Sequence, residues 1–161
     1  MAVETTEDSG RDRPCENGPT AASPLLLDEQ LCFALYSVSR AFTRIYADLL
    51  NELGLTYPQY LTMLVLWEQD GLSVQAIADR LRLEGATTTP LIQRIERMGL
   101  VFKRRNPDDE RRQDVFLTER GRAMRERALD IPERLGCAVG ISSERAERLL
   151  HDLRSLRADL G

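Results

Sequence analysis

One stripe constrains this chain most. Leu31, Leu35, Val38, Phe42, Ile45 and Leu49 recur at spacings of four and three. That is the period of one helix face. The spacing predicts a single helix over about 26–53, with Asp28 or a neighbour as its cap and Gly54 as its stop. A second line runs beside the first: Cys32, Tyr36, Ser39, Thr43, Tyr46 and Leu50. A helix of this length is more than one small domain covers. Together with apolar positions on the last helix, it predicts pairing with a second copy, a homodimer.

The rest of the chain reads as short helices and one hairpin. Tyr57 to about Glu68 forms a helix with Thr56 as cap and Pro58 in its first turn. Asp70-Gly71 is a turn. Ser73 caps a helix over 74–81, a connector covers 82–85, and 86–98 forms another helix, with Pro90 tolerated only in its first turn. Residues 101–105 and 113–117 make two short strands around the turn-rich 106–109. Thr118 starts a helix to about Leu135, kinked or ended at Pro132. Residues 136–141 read as a loop holding Cys137, and Ser142 or Ser143 caps the last helix. The expected fold is mainly α with a small β wing. A winged helix-turn-helix over about 56–118 is flanked by dimerisation helices over about 26–53 and 119–160. Residues 1–24, rich in Ser, Gly, Pro and acids, are expected to be a disordered acidic tail ahead of a single domain, 25–161.

Several classes fall away. The longest apolar run is six residues, Leu31 to Tyr36, far short of a membrane span, so no membrane partner is expected. The acidic start does not resemble a signal peptide. Cysteines at 15, 32 and 137 make neither a zinc spacing nor a disulfide framework. His151 has no companions for a metal site. A cytoplasmic chain with reduced thiols and no cofactor is expected.

The net charge of −4 disfavours nucleic acid on its face, but charge is unevenly placed. Residues 1–30 carry net −5, whereas 73–112 hold nine basic and six acidic residues, net +3. The helix over 86–98 presents Thr87, Thr88, Thr89, Gln93, Arg94 and Arg97. Hydroxyls and amides bond phosphates or base edges, and arginine forks onto guanine. Thr87 and Thr88 have an alternative use as local caps. The hairpin adds Lys103, Arg104 and Arg105. At its tip Asp109 and Arg111, two apart, form a pair that aims a guanidinium at a narrow minor groove. These residues point to double-stranded DNA.

The segment from Gly99-Leu100-Val101 through Asp109-Glu110-Arg111-Arg112 to Val115-Phe116-Leu117-Thr118-Glu119-Arg120-Gly121 resembles the wing and following helix of MarR-family repressors. Leu31-Cys32-Phe33-Ala34-Leu35-Tyr36, Leu55-Thr56-Tyr57-Pro58-Gln59-Tyr60-Leu61 and Leu64-Val65-Leu66-Trp67-Glu68 are similar to the organic-hydroperoxide-sensing OhrR branch, two-cysteine type. The resemblance covers about residues 26–160. It implies a homodimeric repressor whose recognition helices enter major grooves of operator DNA and whose wings reach minor grooves. Arg111 matches the wing-tip arginine and Asp109 its partner. Thr87, Thr89 and Pro90 fall in the recognition-helix motif. Glu84 and Gly85 depart from the usual aspartate and serine, Arg82 from a tyrosine, and Thr88 from a leucine.

Cys32 lies on the first helix with Tyr36 at i+4. Tyr46 is 14 residues on, about 21 Å along the axis. The two meet only across a dimer, where Tyr57 also converges. Phenols donate to a thiolate and hold its pKa down. The resemblance implies that Cys32 is the peroxidatic cysteine and that Tyr46 and Tyr57 bond it, with Tyr36 a third candidate. It also implies that Cys137 resolves the oxidised thiol as an intersubunit disulfide, and that an organic or lipid hydroperoxide is the effector. Two other readings stand beside this one: a repressor released by a small aromatic ligand, and a thiol peroxidase. The second is disfavoured because no arginine or threonine stands next to Cys32 to stabilise a leaving oxygen.

Overall fold

Gly54 stops the first helix as its sequence suggests: it takes φ +67, a left-handed conformation that glycine adopts without Cβ strain. The computed structural model describes residues 25–109 and 112–160. The chain divides after Val38 into two units. Among the described residues of the first unit, a 3₁₀ turn covers Leu27–Glu29. Helix α1 then covers Leu31–Leu50, and a second 3₁₀ turn, Asn51–Leu53, leads to Gly54. The α-helix is thus shorter than the expected 26–53. Asp28 lies inside the first turn and does not cap α1. The proposed tail, 1–24, lies outside the described residues, as do Cys15 and Arg111.

The second unit is built around helix α2, Tyr57–Glu68. Its start is set by sequence chemistry: the Thr56 N–H donates to Gln59 Oε1 at 2.8 Å, and Pro58 sits in the first turn, where a missing N–H costs nothing. Gln59, Tyr60, Thr62, Met63, Val65 and Leu66 are all buried, so α2 runs through the core. Strand β1, Leu72–Ser73, was not legible in the sequence. Helix α3, Val74–Leu81, follows, capped by Ser73 Oγ, which accepts from the Ala76 N–H at 3.1 Å. Arg82 ends α3 with φ +55. Helix α4 spans Gly85–Arg97. Pro90 lies in its second turn rather than its first, so the carbonyl of Ala86 loses its helical donor. Ala86 is exposed, and water can take that place.

Strands β2, Val101–Arg105, and β3, Gln113–Leu117, pair antiparallel from Val101↔Leu117 to Arg105↔Gln113. The sheet order is β1-β3-β2. Leu91, Ile92 and Ile95 of α4, Ile77 of α3, Val101 and Val115 of the sheet, and Met63 and Leu66 of α2 close one core.

Helix α5, Glu119–Arg127, is capped by Thr118 Oγ1, which accepts from the Gly121 N–H at 3.0 Å. The chain then breaks, and α6 covers Ile131–Val139 with Pro132 in its first turn. This corrects two expectations. The helix from Thr118 does not reach Leu135, because Pro132 starts a new helix. Cys137 lies on α6, not in a loop; Gly140, φ +65, ends that helix. Helix α7, Ser143–Asp159, is capped by Ser142 and carries exposed Leu149, Leu150 and Leu153. Among the described residues no helix is long and apolar enough to cross a membrane.

Candidate functional site

Helix α4 separates its residues by face. Thr88, Leu91, Ile92 and Ile95 are buried, while Thr87, Thr89, Pro90, Gln93, Arg94 and Arg97 are exposed. The inward residues hold the helix on the core, and the outward ones form a hydroxyl-, amide- and guanidinium-bearing surface. Thr88 must leave that surface. It is fully buried, and its hydroxyl donates to the Glu84 carbonyl at 3.1 Å. This is a back-bond to the preceding turn inside α4, not the cap that was its alternative: Glu84 holds the N-cap position and no side chain caps it. Arg97 Nε donates back to the Gln93 carbonyl at 3.4 Å, whereas Arg94 has no ion pair with any described carboxylate.

The hairpin has a built tip. Asp114, buried on β3, accepts from Asn106 Nδ2 at 2.6 Å and from Arg112 Nε at 2.8 Å. These two bonds, with that of Asn106 first, hold its carboxyl below the usual carboxylate range. Asn106 Oδ1 in turn accepts the N–H groups of Asp108 and Asp109, an Asx turn that closes the loop. Lys103 is turned to Glu96, 3.0 Å from its carboxylate, and is not a free cation for DNA. Arg104 lies over the Phe116 ring at 4.5 Å, and Phe116 stacks on Phe102. Arg105 is exposed. The proposed partner of Asp109, Arg111, is outside the described residues.

A second cluster sits at the junction of α1 and α2. The Tyr46 and Tyr57 rings stack at 4.4 Å, and Tyr60 joins Tyr46 at 5.8 Å and Trp67 at 6.3 Å. Burial, then the neighbouring Tyr57 and Tyr60, push the Tyr46 phenol up to about 12; burial raises Tyr57 and Tyr60 too. These phenols keep their protons at neutral pH and remain hydrogen-bond donors. Cys32 and Cys137 are free thiols, both exposed in the single chain. Tyr36 is likewise exposed. Among the described residues no group of His, Cys, Asp or Glu is placed to hold a metal.

The family described as transcriptional regulator SarA/Rot matches residues 44–127. The organic hydroperoxide resistance transcriptional regulator of Bacillus subtilis strain 168 is 42% identical over 134 residues, covering 83% of this chain and 86% of its own. The chain belongs to the MarR/SarA-type transcriptional regulators. The regulator TtmR of Methylorubrum extorquens strain PA1 is 44% identical over 137 residues, 85% of this chain and 70% of that protein. Among solved structures, reduced AbfR bound to DNA matches with TM-score 0.70 and 30% identity over 84% of this chain and 94% of that one. AbfR, from Staphylococcus epidermidis, is also known in a disulfide-formed state, which matches with TM-score 0.59 and 32% identity over 83% and 91% of the two chains.

As a MarR/SarA-type regulator the chain is a DNA-binding transcriptional regulator with a winged-helix fold. Three features of this regulator escaped sequence reasoning. Asp114 organises the wing, but its two partners lie eight residues upstream and two upstream, a pairing visible only once the strand register is known. Asp70 looked like a turn residue; it also accepts from the Leu117 N–H at 2.8 Å and from Arg122 Nη2 at 2.9 Å, tying the turn to β3 and α5. Tyr60 and Trp67 extend the phenol pair inward. Their spacing from Tyr57, at three and ten residues on one helix, was the available signal.

Proposed function

We propose that this regulator is a homodimeric repressor that holds operator DNA until an organic or lipid hydroperoxide oxidises Cys32. The observation that carries the reading is the stacked Tyr46–Tyr57 pair, two half-buried phenols that keep their protons and sit 4.4 Å apart. In a dimer with crossing first helices, that pair meets Cys32 of the other subunit and donates to its thiolate. The thiolate attacks the distal peroxide oxygen. The O–O bond breaks, the alkoxide takes a proton and leaves as an alcohol, and Cys32 becomes a sulfenic acid. Cys137 of the other subunit then displaces water from that sulfenic acid to form a disulfide. The phenols lose their anionic acceptor and repack. The exposed leucines of α1 and α7 supply the dimer surface.

On DNA, the α4 residues Thr87, Thr89, Pro90, Gln93, Arg94 and Arg97 enter the major groove. Arg104, Arg105, Asp109 and Arg111 form the wing that reaches the minor groove. The name of the Bacillus subtilis relative and the reduced and disulfide states of AbfR support a redox reading. Binding to the DNA upstream of its own gene, with and without an organic hydroperoxide, tests it. Peroxide is expected to release the wild type and leave Cys32→Ser bound. Release of Cys32→Ser overturns the thiol mechanism, and absence of binding by the reduced wild type overturns the repressor. Cys137→Ser is expected to oxidise without forming a crosslinked dimer.

One observation favours a second reading. Tyr60, Leu64, Trp67, Ala128, Leu129 and Pro132 line an apolar groove with Arg125 and Glu68 at its edge. A small aromatic carboxylate fits that chemistry. Release of both the wild type and Cys32→Ser by such a compound is the result expected from it.

A further inference from the structure

The start of α2, the α3–α4 connection and one side of α4 form a groove that the recognition-helix assignment covers only in part, through Thr87, Pro90 and Arg94. Thr56, Pro58, Leu83, Thr87, Pro90 and Arg94 line it. Its apolar lining comes from Pro58, Leu83, Pro90 and the buried Leu91. Its polar lining is two threonines, Thr56 at the cap of α2 and Thr87 on α4, and one guanidinium, Arg94. Thr87, Pro90 and Arg94 follow at three and four residues, so they share one side of α4. Thr89, Gln93 and Arg97 follow at four and four, on a side that does not line the groove.

The charge of the groove is unbalanced. Arg94 makes no ion pair among the described residues, whereas Arg80, Lys103 and Arg112 are each held by a carboxylate. Two threonine hydroxyls and an unpaired arginine around a small apolar cleft suit a phosphodiester, with its anionic oxygens on the donors and its sugar on the proline rings. The cleft is continuous with the exposed face of α4.

We infer that this groove seats one phosphate of the DNA backbone flanking the major groove. Arg94 and Thr87 are therefore backbone contacts, and Thr56 is a DNA contact contributed by α2. Base reading then falls to Thr89, Gln93 and Arg97. The inference rests on the DNA-binding face described above and divides its labour. A backbone contact positions the helix and carries no sequence information, while a base contact discriminates sequence.

The two roles separate in measurements on the full chain. Fluorescence anisotropy with operator and with an unrelated duplex, over a range of salt, reads affinity and its salt slope. Arg94→Gln is expected to weaken both duplexes by about tenfold, a charge-assisted bond's worth. The salt slope is expected to fall by about 0.9, one phosphate's share. Thr56→Val is expected to weaken both duplexes by about threefold, as a lost neutral bond does. Thr56→Ser, which keeps the hydroxyl, restores binding; Thr56→Asp, which caps α2 as well but offers the phosphate no donor, is expected not to, and this separates contact from capping. Operators carrying one methylphosphonate at each backbone position in turn locate the phosphate. One position is expected to penalise the wild type and not Arg94→Gln.

The inference is overturned if Arg94→Gln weakens only the operator and leaves the slope unchanged, because arginine then reads a base. It is also overturned if no methylphosphonate penalty disappears in Arg94→Gln, or if Thr56→Val binds as the wild type does. Failure of the α4 assignment itself looks different: Gln93→Ala and Arg97→Ala, as well as Arg94→Gln, would bind both duplexes as the wild type does.

Discussion

Gly121→Ala is the substitution on which helix propensity and packing disagree most sharply. Gly121 lies in the first turn of α5, where alanine is favoured over glycine by about 1 kcal/mol on propensity alone. Packing says the reverse. A Cβ at residue 121 stands 2.1 Å from the Leu100 carbonyl oxygen and 3.3 Å from Leu117 Cδ2, whereas ordinary contact begins at 3.4 Å. The obstacle is backbone, so no side chain can swing away. Either α5 or the α4–β2 connection must move by more than 1 Å. That movement disturbs the Thr118 N–H and Thr118 Oγ1 bonds to the Leu100 carbonyl, at 3.0 and 3.1 Å, and the Trp67 Nε1–H bond to the Gly121 carbonyl at 2.9 Å. Overpacking costs about 1–3 kcal/mol, and each weakened bond about 1 kcal/mol. After the propensity gain, a net loss of about 3–5 kcal/mol is expected. Urea unfolding at fixed protein concentration measures it, with Trp67, the chain's one tryptophan, as the fluorophore. The midpoint is expected to fall with the slope unchanged. A neutral or stabilised variant refutes the close approach of α5 to the root of the wing.

Four further outcomes are expected. Asp114→Ala removes the acceptor shared by Asn106 and Arg112, so amide exchange at Asn106, Asp108, Asp109 and Arg112 should quicken and operator binding weaken. Because the Asp114 carboxyl titrates below the usual range, its bonds are complete above that range and are lost only as pH falls below it; wild-type wing exchange protection should therefore be flat from neutral pH down to mildly acid solution. The Tyr46 phenol, pushed up to about 12, contributes stability fully present below pH 10 and lost as pH rises from there through about 12; ultraviolet titration should show a late tyrosinate step that Tyr46→Phe removes. Thr88→Val keeps the buried shape and loses one hydroxyl bond, so stability should drop by about 1 kcal/mol while operator affinity of the folded protein is unchanged.

The sequence is most legible where chemistry is local. Ser73, Thr118 and Ser142 cap the helices that follow them, and the turn at Asn106 sits between the two strands it was expected to join. These features need only a few neighbouring residues. Legibility fails where a choice depends on distant partners. Strand β1 is two residues long and exists because β3 pairs with it, which no local pattern records. Pro132 left two options, a kinked helix or a new one, and propensity alone cannot separate them. Thr88 and Thr89 are adjacent threonines in the same motif, yet one is buried and one exposed. A shift of one residue in where α4 begins decides between them, and helix boundaries are the least determined part of a sequence reading.

Charge shows the same limit in sharper form. The nine basic residues of 73–112 do not act as nine cations toward DNA. Arg80 is held by Glu68, Lys103 by Glu96 and Arg112 by Asp114. Two of those acids, Glu68 and Asp114, come from outside the basic stretch, so its apparent excess is partly cancelled by residues it does not contain. What the fold leaves unpaired among the described residues includes Arg82, Arg94 and Arg105. Arg94 lies on the exposed part of α4, and Arg105 ends the strand that leads to the wing tip. Net charge is therefore a poor guide to partners here: −4 for the whole chain and +3 for the middle stretch both miss the point. The informative quantity is which guanidiniums the carboxylates do not reach, and strand register and helix phase decide that. Neutralising Arg94 or Arg105 is expected to reduce the salt dependence of DNA binding, while neutralising Lys103, already paired with Glu96, is expected to leave that slope nearly unchanged. A Lys103→Gln slope change as large as that of Arg94→Gln would sink that expectation.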